Sequence, residues 1–341
     1  MKISAVIPTR NRTVSLRNTL KSLLSQTRCP DEIIVIDASD VKDSLNRLQN
    51  ELDGHGIIWI DTSPSVCLQR NTGIKKASGN WIFLCDDDIE LKSDYLQTLE
   101  LYVKNNKNCG AVAGRLLQLE SNGWVDRYPV KNLGELLWRF VFQLSVWGDI
   151  DRYRVPVLVR PVFYVIEEFY RWRGNTLSLS GWPIITQWNE EGFQTKIFSL
   201  GANLIKKDWF CPDGYDEVLD RYGIGDNYGV AVNFPGENPI HVLASTCAYH
   251  HRAGENRLSP SLSYYRRVLA LHYFIIRERR RRFVKTIFFI WSLFGNSLMF
   301  FFKKDSKMFK ATCKAMWLIA TARNPYSVAK LKGEKTIEPY C

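Results

Sequence analysis

Three consecutive carboxylates, Asp86, Asp87 and Asp88, follow directly on an apolar run at residues 81–85. A short, nearly continuous apolar run is the pattern of a strand buried on both faces of a parallel sheet, so the acids stand where that strand ends. Ligands of open α/β sheets bind in the crevice beyond the carboxyl ends of the strands. Three acids this close repel one another unless a cation or a proton intervenes. Hard oxygen ligands suit Mg²⁺ or Mn²⁺, which keep several waters and take substrate phosphates as further ligands. The chemistry indicated is metal-assisted handling of a diphosphate. A solvated acidic turn has the same composition, but the buried strand before it weighs against that reading.

The elements that must position the acids can be read in order. Residues 3–7 form an apolar strand broken by Pro8, a cationic loop Thr9-Arg10-Asn11-Arg12 follows, and Val14, Leu16, Leu20, Leu23 and Leu24 repeat at helical spacing. A second apolar strand, 33–36, ends at Asp37, so the start of the chain reads as a strand–helix–strand crossover. Helix at 45–52, strand at 57–60 and helix at 66–77 continue the alternation expected of a doubly wound, mostly parallel sheet. Residues 110–119 resume a strand, in which Gly114 would permit close backbone approach to a ligand. No GxGxxG or Walker A pattern is present in the sequence, which argues against dinucleotide and P-loop chemistry.

A chain of 341 residues with 45% hydrophobic and 24% charged residues can bury a substantial core and is not of disordered composition. Its formal net charge of +11 favours an anionic partner: a nucleotide, a phospholipid surface or a nucleic acid. Eight cysteines without a CxxC pair indicate neither a zinc site nor a disulfide framework, and reduced thiols in a cytoplasmic protein are expected. The first residues lack the pattern of a signal peptide.

The runs AVIPTRNR, LRNTLKSLLSQTRCPDEIIVIDASD and QRNTGIKKASGNWIFLCDDDIEL, followed later by SLGANLIKKDWF, GYDE and GIGDNYGV, resemble the inverting glycosyltransferases of family 2. The resemblance implies a GT-A fold: an α/β, Rossmann-like, mostly parallel sheet flanked by helices. It implies that Pro8, Thr9 and Arg12 border the nucleotide, that Asp37 meets the base and that Arg70 approaches the nucleotide. Asp86 and Asp88 become the outer acids of a DxD motif, on ribose and on the diphosphate-bound metal respectively, with Asp87 between them on the donor side. Asp37 as a turn cap and Arg70 as a solvated helix residue are the plainer alternatives.

An inverting transferase needs a carboxylate that takes the acceptor hydroxyl's proton as its oxygen attacks opposite the departing diphosphate. The family usually carries it in a Glu-Asp pair. The matching site reads Gly225-Asp226, which makes Asp226 the expected base, with Asp216 and Asp220 as nearby substitutes. Glycines at 223, 225 and 229 suit a tight loop near a ligand, or a plain surface loop. His250 and His251 are candidate additional metal ligands. Adjacent strand residues point to opposite faces, so at most one of them should reach the site.

Residues 124–187 are longer and more aromatic than a connector and read as an insertion, either acceptor-side or membrane-facing, or else as ordinary core helices. The tail carries a basic run through Arg277, Arg279, Arg280, Arg281, Arg282 and Lys285, an apolar stretch at 287–302, and then Lys303, Lys304, Lys307 and Lys310. That stretch is shorter than the roughly 18 apolar residues of a span, and cations flank both ends. A helix lying in an anionic interface is expected, with a packed C-terminal helix as the alternative. Basic residues beside an apolar run do not make a nucleic-acid motif.

The expected organisation is a catalytic domain over 1–255, with a nucleotide-binding half at 1–120, an insertion at 124–187 and an acceptor half at 195–255. A helical, membrane-associating extension over 256–341 completes it. The expected activity is metal-dependent, inverting transfer of a sugar from a nucleotide-sugar donor to a saccharide or lipid-linked acceptor, with Mg²⁺ or Mn²⁺, peripheral on the inner face of the cell membrane. A nucleotidyltransferase of related fold and a non-catalytic membrane scaffold are the rivals.

Overall fold

The computed structural model describes residues 1–121, 123–150, 156–210, 214–277 and 282–340. Arg279, Arg280 and Arg281 of the basic run lie outside these residues.

The strands Ile3–Thr9 (β1), Glu32–Asp37 (β2) and Ile57–Asp61 (β3) alternate with the helices Thr13–Leu24 (α1) and Asp43–Glu51 (α2). Helix Val66–Lys76 (α3) leads to Trp81–Cys85 (β4), which pairs parallel to β1, as β1 does to β2 and β2 to β3. The short strand Ile89–Leu91 (β5), helix Tyr95–Asn105 (α4), strand Ala111–Glu120 (β6) and strand Gly123–Val125 (β7) follow. Next come helix Leu133–Val141 (α5), Val146–Trp147 (β8), helix Arg160–Arg173 (α6), Thr176–Leu177 (β9) and Pro183–Ile185 (β10). The chain returns to the main sheet through Gly192–Thr195 (β11) and Ala202–Lys206 (β12), then helix Asp226–Ala231 (α7) and strand Ile240–His250 (β13). It closes with the helices Pro260–Arg277 (α8), Arg282–Phe302 (α9), Ser306–Ala320 (α10) and Pro325–Leu331 (α11).

The main sheet has the order β11-β13-β6-β12-β4-β1-β2-β3. It is parallel from β4 to β3 and mixed beyond, because β12 runs antiparallel to both β4 and β6. Period-two alternation splits the strands between two cores. Ile3, Ala5 and Ile7 of β1 pack with α1, α2 and α4, while Val6 packs on the opposite face with α3 and α8. On α1, Leu16, Leu20 and Leu23 repeat at helical spacing and are all buried.

Strand β1 does not break at Pro8; it continues to Thr9 in register with Ile36 and Asp37 of β2. Pairing with β4 stops at Val6, so the proline's missing N–H falls where the ladder on that side has already ended. A side chain at Gly114 would run into the Tyr95 ring and Thr246, so its smallness serves the packing of α4 on the sheet.

Residues 124–187 build a small sheet, β8-β10-β9, over a separate core that includes Val130, Leu136, Phe163, Ile166, Tyr170 and Ile184. The C-terminal helices share the larger core of the main sheet. Helix α9 begins at Arg282 and runs 21 residues. The expectation that this segment is too short for a span is therefore corrected: by length and composition alone it is long and apolar enough to cross a membrane, and 33% of its most apolar window is buried. Apolar residues before the 287–302 stretch lengthen the helix.

Candidate active site

The acids meet at the carboxyl ends of β1 and β4. Helix α3 is capped by Ser65, whose hydroxyl accepts from the Leu68 N–H at 3.4 Å. It lies tight on the sheet because Gly73 has no side chain to strike Val6 and Ile36. That close seat brings Gln69 and Arg70 to the strand ends. Gln69 Nε2 donates to the carbonyls of Thr9 (2.8 Å) and Ile36 (2.7 Å), tying the ends of β1 and β2 together.

Arg70 is the hinge of the acidic cluster. Its Nη2 donates to Asp86 Oδ1 at 2.7 Å, its Nη1 donates to Asp226 Oδ2 and, at 3.2 Å, to Asn227 Oδ1. The guanidinium also lies 5.1 Å from the Tyr215 ring centroid. Arg70 is buried, not a solvated helix residue, and one planar group holds the first acid of the triplet and the expected base on opposite sides. Burial drives the Asp226 carboxyl up to about 6 against the pull of Arg70. Asp226 stands at the first position of α7, after Gly225 with φ +95°. Ala270 lies where a Gly225 side chain would project, so this turn depends on glycine for both conformation and space.

The two substitutes for Asp226 are engaged elsewhere. Asp216 accepts from Tyr273 and Arg277, each at 2.6 Å, and pairs with Lys330 at 3.1 Å. Asp220 is buried against Arg266 and Tyr326, at 3.4 and 3.0 Å. Both anchor the C-terminal helices.

The other two acids of the triplet have different surroundings. Asp87 accepts from Thr9 Oγ1 (2.8 Å) and Arg12 Nη1 (3.1 Å), and burial raises it to about 6 against Arg12. Asp88 faces His250 Nε2 across 3.2 Å and accepts from the Ala253 N–H at 2.9 Å and from Arg257 at 3.2 Å. Burial alone would raise it. The hydrogen bond and charge of His250, with Arg12 behind, outweigh burial and hold it at about 2. Asp86 N–H donates to the Gly201 carbonyl at 2.8 Å, and a side chain at Gly201 would strike the Asp86 carboxylate.

His250 and His251 part company at the end of β13. His250 turns to Asp88, whereas the His251 ring is exposed, bonded to Glu90 at 2.8 Å and edge-on to Trp124 at 5.3 Å. Only its N–H touches the triplet, on the Asp88 carbonyl at 3.0 Å. His251 as a metal ligand is therefore corrected, for the reason of strand alternation. Among the described residues no group of three or more His, Cys, Asp and Glu side chains could hold a metal ion. Asp88 and His250 supply one oxygen and one nitrogen donor, an incomplete set that suits a cation taking its remaining ligands from phosphate and water.

Asp37 is tied by the Ser39 N–H (3.0 Å) and hydroxyl (2.6 Å) and by Lys42. Pro8 is buried within β1. Neither lines the cavity of about 460 Å³ beside Arg12, whose walls include Asn11, Ser15, Asp40, Ser44 and Glu255. Arg12 closes this cavity by donating through Nε to the Glu255 carbonyl at 3.1 Å.

Arg257 carried no signal in the sequence and reaches Asp88 from a loop beyond β13. Tyr215 lies in the GYDE run, which assigned it no role, and reaches Arg70 from beyond β12. Lys42 had a local cue, lying five residues after Asp37.

Residues 4–210 match the family model for glycosyl transferase family 2, and the chain belongs to that family. It is 34% identical over 131 residues to the uncharacterized glycosyltransferase YwdF of Bacillus subtilis, covering 38% of this chain and 48% of that protein. It is 33% identical over 126 residues to the GalNAc(5)-diNAcBac-PP-undecaprenol beta-1,3-glucosyltransferase of Campylobacter jejuni, covering 36% and 40%. The chain thus spans less than half the length of these curated relatives. The structure of Staphylococcus aureus TarS 1-349 in complex with UDP-GlcNAc superposes with a TM-score of 0.52 at 12% identity, over 98% of this chain and 93% of that one. The fold is that of the GT-A enzymes, a mixed sheet flanked by helices with a helical C-terminal region.

Proposed function

We propose that this protein transfers a sugar from a nucleotide-sugar donor to an acceptor hydroxyl with inversion, in the synthesis of a surface polysaccharide or glycolipid at the cytoplasmic face of a membrane. The observation that carries the reading is the Asp86–Arg70–Asp226 bridge, which sets a donor-side acid and a buried carboxylate near pKa 6 on either side of one guanidinium. A base with a pKa close to working pH combines a useful ionised fraction with useful proton affinity. Family membership supports a glycosyl over a nucleotidyl group. Two relatives carry lipid in their names: the Campylobacter enzyme, and the glucosyl-dolichyl phosphate glucuronosyltransferase of Haloferax volcanii. The lipid-linked acceptor is proposed on that ground.

The cavity beside Arg12 receives the nucleoside, and Arg12 and Arg257 meet the diphosphate with positive charge. Asp88 and His250 would hold Mg²⁺ or Mn²⁺, which when bound neutralises charge on the departing diphosphate. Arg70 orients Asp226 and, by donating to the carboxylate, keeps part of it ionised. Asp226 takes the acceptor proton on its free lone pairs as the hydroxyl oxygen forms its bond to the anomeric carbon.

The test is a panel of nucleotide sugars, with binding read by thermal shift with and without Mn²⁺ and Mg²⁺, then turnover by release of nucleoside diphosphate. Metal-dependent stabilisation by one donor and turnover lost in Asp226→Asn are expected. No response to any donor would overturn the reading, and unchanged cellular function of Asp226→Asn would favour the scaffold.

A further inference from the structure

Helix α9 is apolar on its outer side. The side it turns to the protein carries the fully buried Phe289 and Leu293 together with Ser292, Gly295, Asn296 and Ser297. The side it turns outward carries Phe283, Ile287, Trp291, Phe294, Phe301 and Phe302, exposed by 41% to 74%. At 3.6 residues per turn these six fall within about a third of the helix circumference. A helix packed on a domain in water keeps its apolar stripe inward and its outer side polar, whereas here the outer side is apolar as well.

The inner side is locked in place. Ser292 accepts from the Trp182 indole N–H at 2.9 Å, and Asn296 donates to the Tyr264 hydroxyl of α8 at 3.1 Å. A side chain at Gly295 would collide with the Phe142 ring, so the glycine marks close seating on the inserted subdomain. Phe289 on the same side stacks on Trp182, with ring centroids 5.7 Å apart.

The apolar surface continues onto the insertion. Trp291 Nε1 donates to the Val141 carbonyl at 2.8 Å, and its ring lies 4.8 Å from Phe142. Beside that junction Leu137 and Val141 of α5, one helical turn apart, are 42% and 44% exposed. Contiguous exposed apolar surface of this kind marks an interaction site. Its surroundings choose the occupant. Helix α9 contains no acidic residue, starts at the exposed Arg282 and ends at Phe302; the exposed Lys303 and Lys304 follow, then Asp305, and Lys307 and Lys310 are exposed at the start of α10.

We infer that the outer faces of α9 and α5 form one docking surface for an anionic phospholipid bilayer, in which α9 lies in the interface with its aromatic side among the acyl chains and its terminal cations at the headgroups. Apolar burial and attraction to anionic lipid supply the two contributions that stable peripheral attachment needs. The bonds to α8 and to the insertion keep α9 lying flat, although its length would permit a span. The inference goes beyond the proposed reaction and rests on it only for which leaflet is met.

The test is flotation of the full chain with vesicles of phosphatidylcholine alone and with one-third phosphatidylglycerol. Flotation with the anionic vesicles, reduced by salt yet partly retained, is expected. Phe283→Glu with Phe302→Glu, at positions 74% and 70% exposed, should lower the floated fraction at least tenfold while the melting temperature and metal-dependent donor binding stay those of the parent. As a second variant, Lys303→Glu with Lys304→Glu should remove the preference for anionic vesicles. No flotation of the parent chain, or flotation undiminished in the aromatic variant, would overturn the inference. So would dimers that the aromatic variant dissociates without any vesicle binding, which would assign the face to a second copy. Donor binding is read without vesicles, so failure of either reading is distinguishable from failure of the other.

Discussion

Asp226 and Asp88 are both buried aspartates in one site, and their surroundings drive them in opposite directions, to about 6 and to about 2. On the proposed acceptor side Asp226 has one cation, Arg70, shared with Asp86, and the Asn227 backbone N–H. On the proposed leaving-group side Asp88 has His250, Arg257 and a backbone N–H on its two oxygens, with Arg12 further off at 3.8 Å. Burial acts on both, and the number of donors around each carboxylate decides the sign. One carboxylate is suited to exchanging a proton and the other to staying charged beside phosphate or a cation.

The largest effect should come from Asp226→Asn. Removing a general base costs typically 10²–10⁴-fold in turnover, and donor affinity by thermal shift should stay within a few-fold of the parent. Equal losses in Asp226→Asn and Asp88→Asn, in both turnover and binding, would collapse the distinction between the two sides. Arg70→Met tests what holds them together. It strands two carboxylates, one of them buried, and should destabilise the fold by about 3–5 kcal/mol in urea unfolding.

The pH profile sharpens the same contrast. Asp226 must be ionised to accept a proton, so kcat/KM should fall as pH drops through about 6 and level off above it. In any Arg70→Met protein that folds, the cation that draws the pKa down is gone, and the acidic limb should move to higher pH. A profile flat from pH 5 to 8 would remove Asp226 as the base. The smallest effects separate the two histidines. His250→Ala should weaken Mn²⁺-dependent donor binding by about 10-fold or more, whereas His251→Ala, at an exposed ring, should change stability by less than about 0.5 kcal/mol and leave metal dependence unaltered.

Much of the parallel half of the sheet was legible because each segment signals itself locally. Apolar runs of strand length, helical leucine spacing and the acids after residue 85 are periodic or abrupt features within a few residues of one another. Less legible were the features set by contacts distant in sequence. The continuation of β1 through Pro8 depends on where β4 stops pairing, and the packing role of Gly114 depends on Tyr95 and Thr246. The length of α9 was legible in principle; its exposed apolar side was not, since it appears only once the other side of the helix is covered.

The acids and the expected base are 138 to 140 positions apart in the chain, and the sequence determined that carboxylates, a cationic loop and a parallel run of strands within an α/β scaffold are present; the sheet as a whole is mixed. Tertiary structure decided which carboxylate meets which cation. Arg70 joins Asp86 to Asp226, Arg257 and His250 converge on Asp88, and Asp216, Asp220 and His251 are drawn off to other partners. The physical reason is that a carboxylate's ionisation depends on burial and on donors within a few ångströms, and long-range packing sets both.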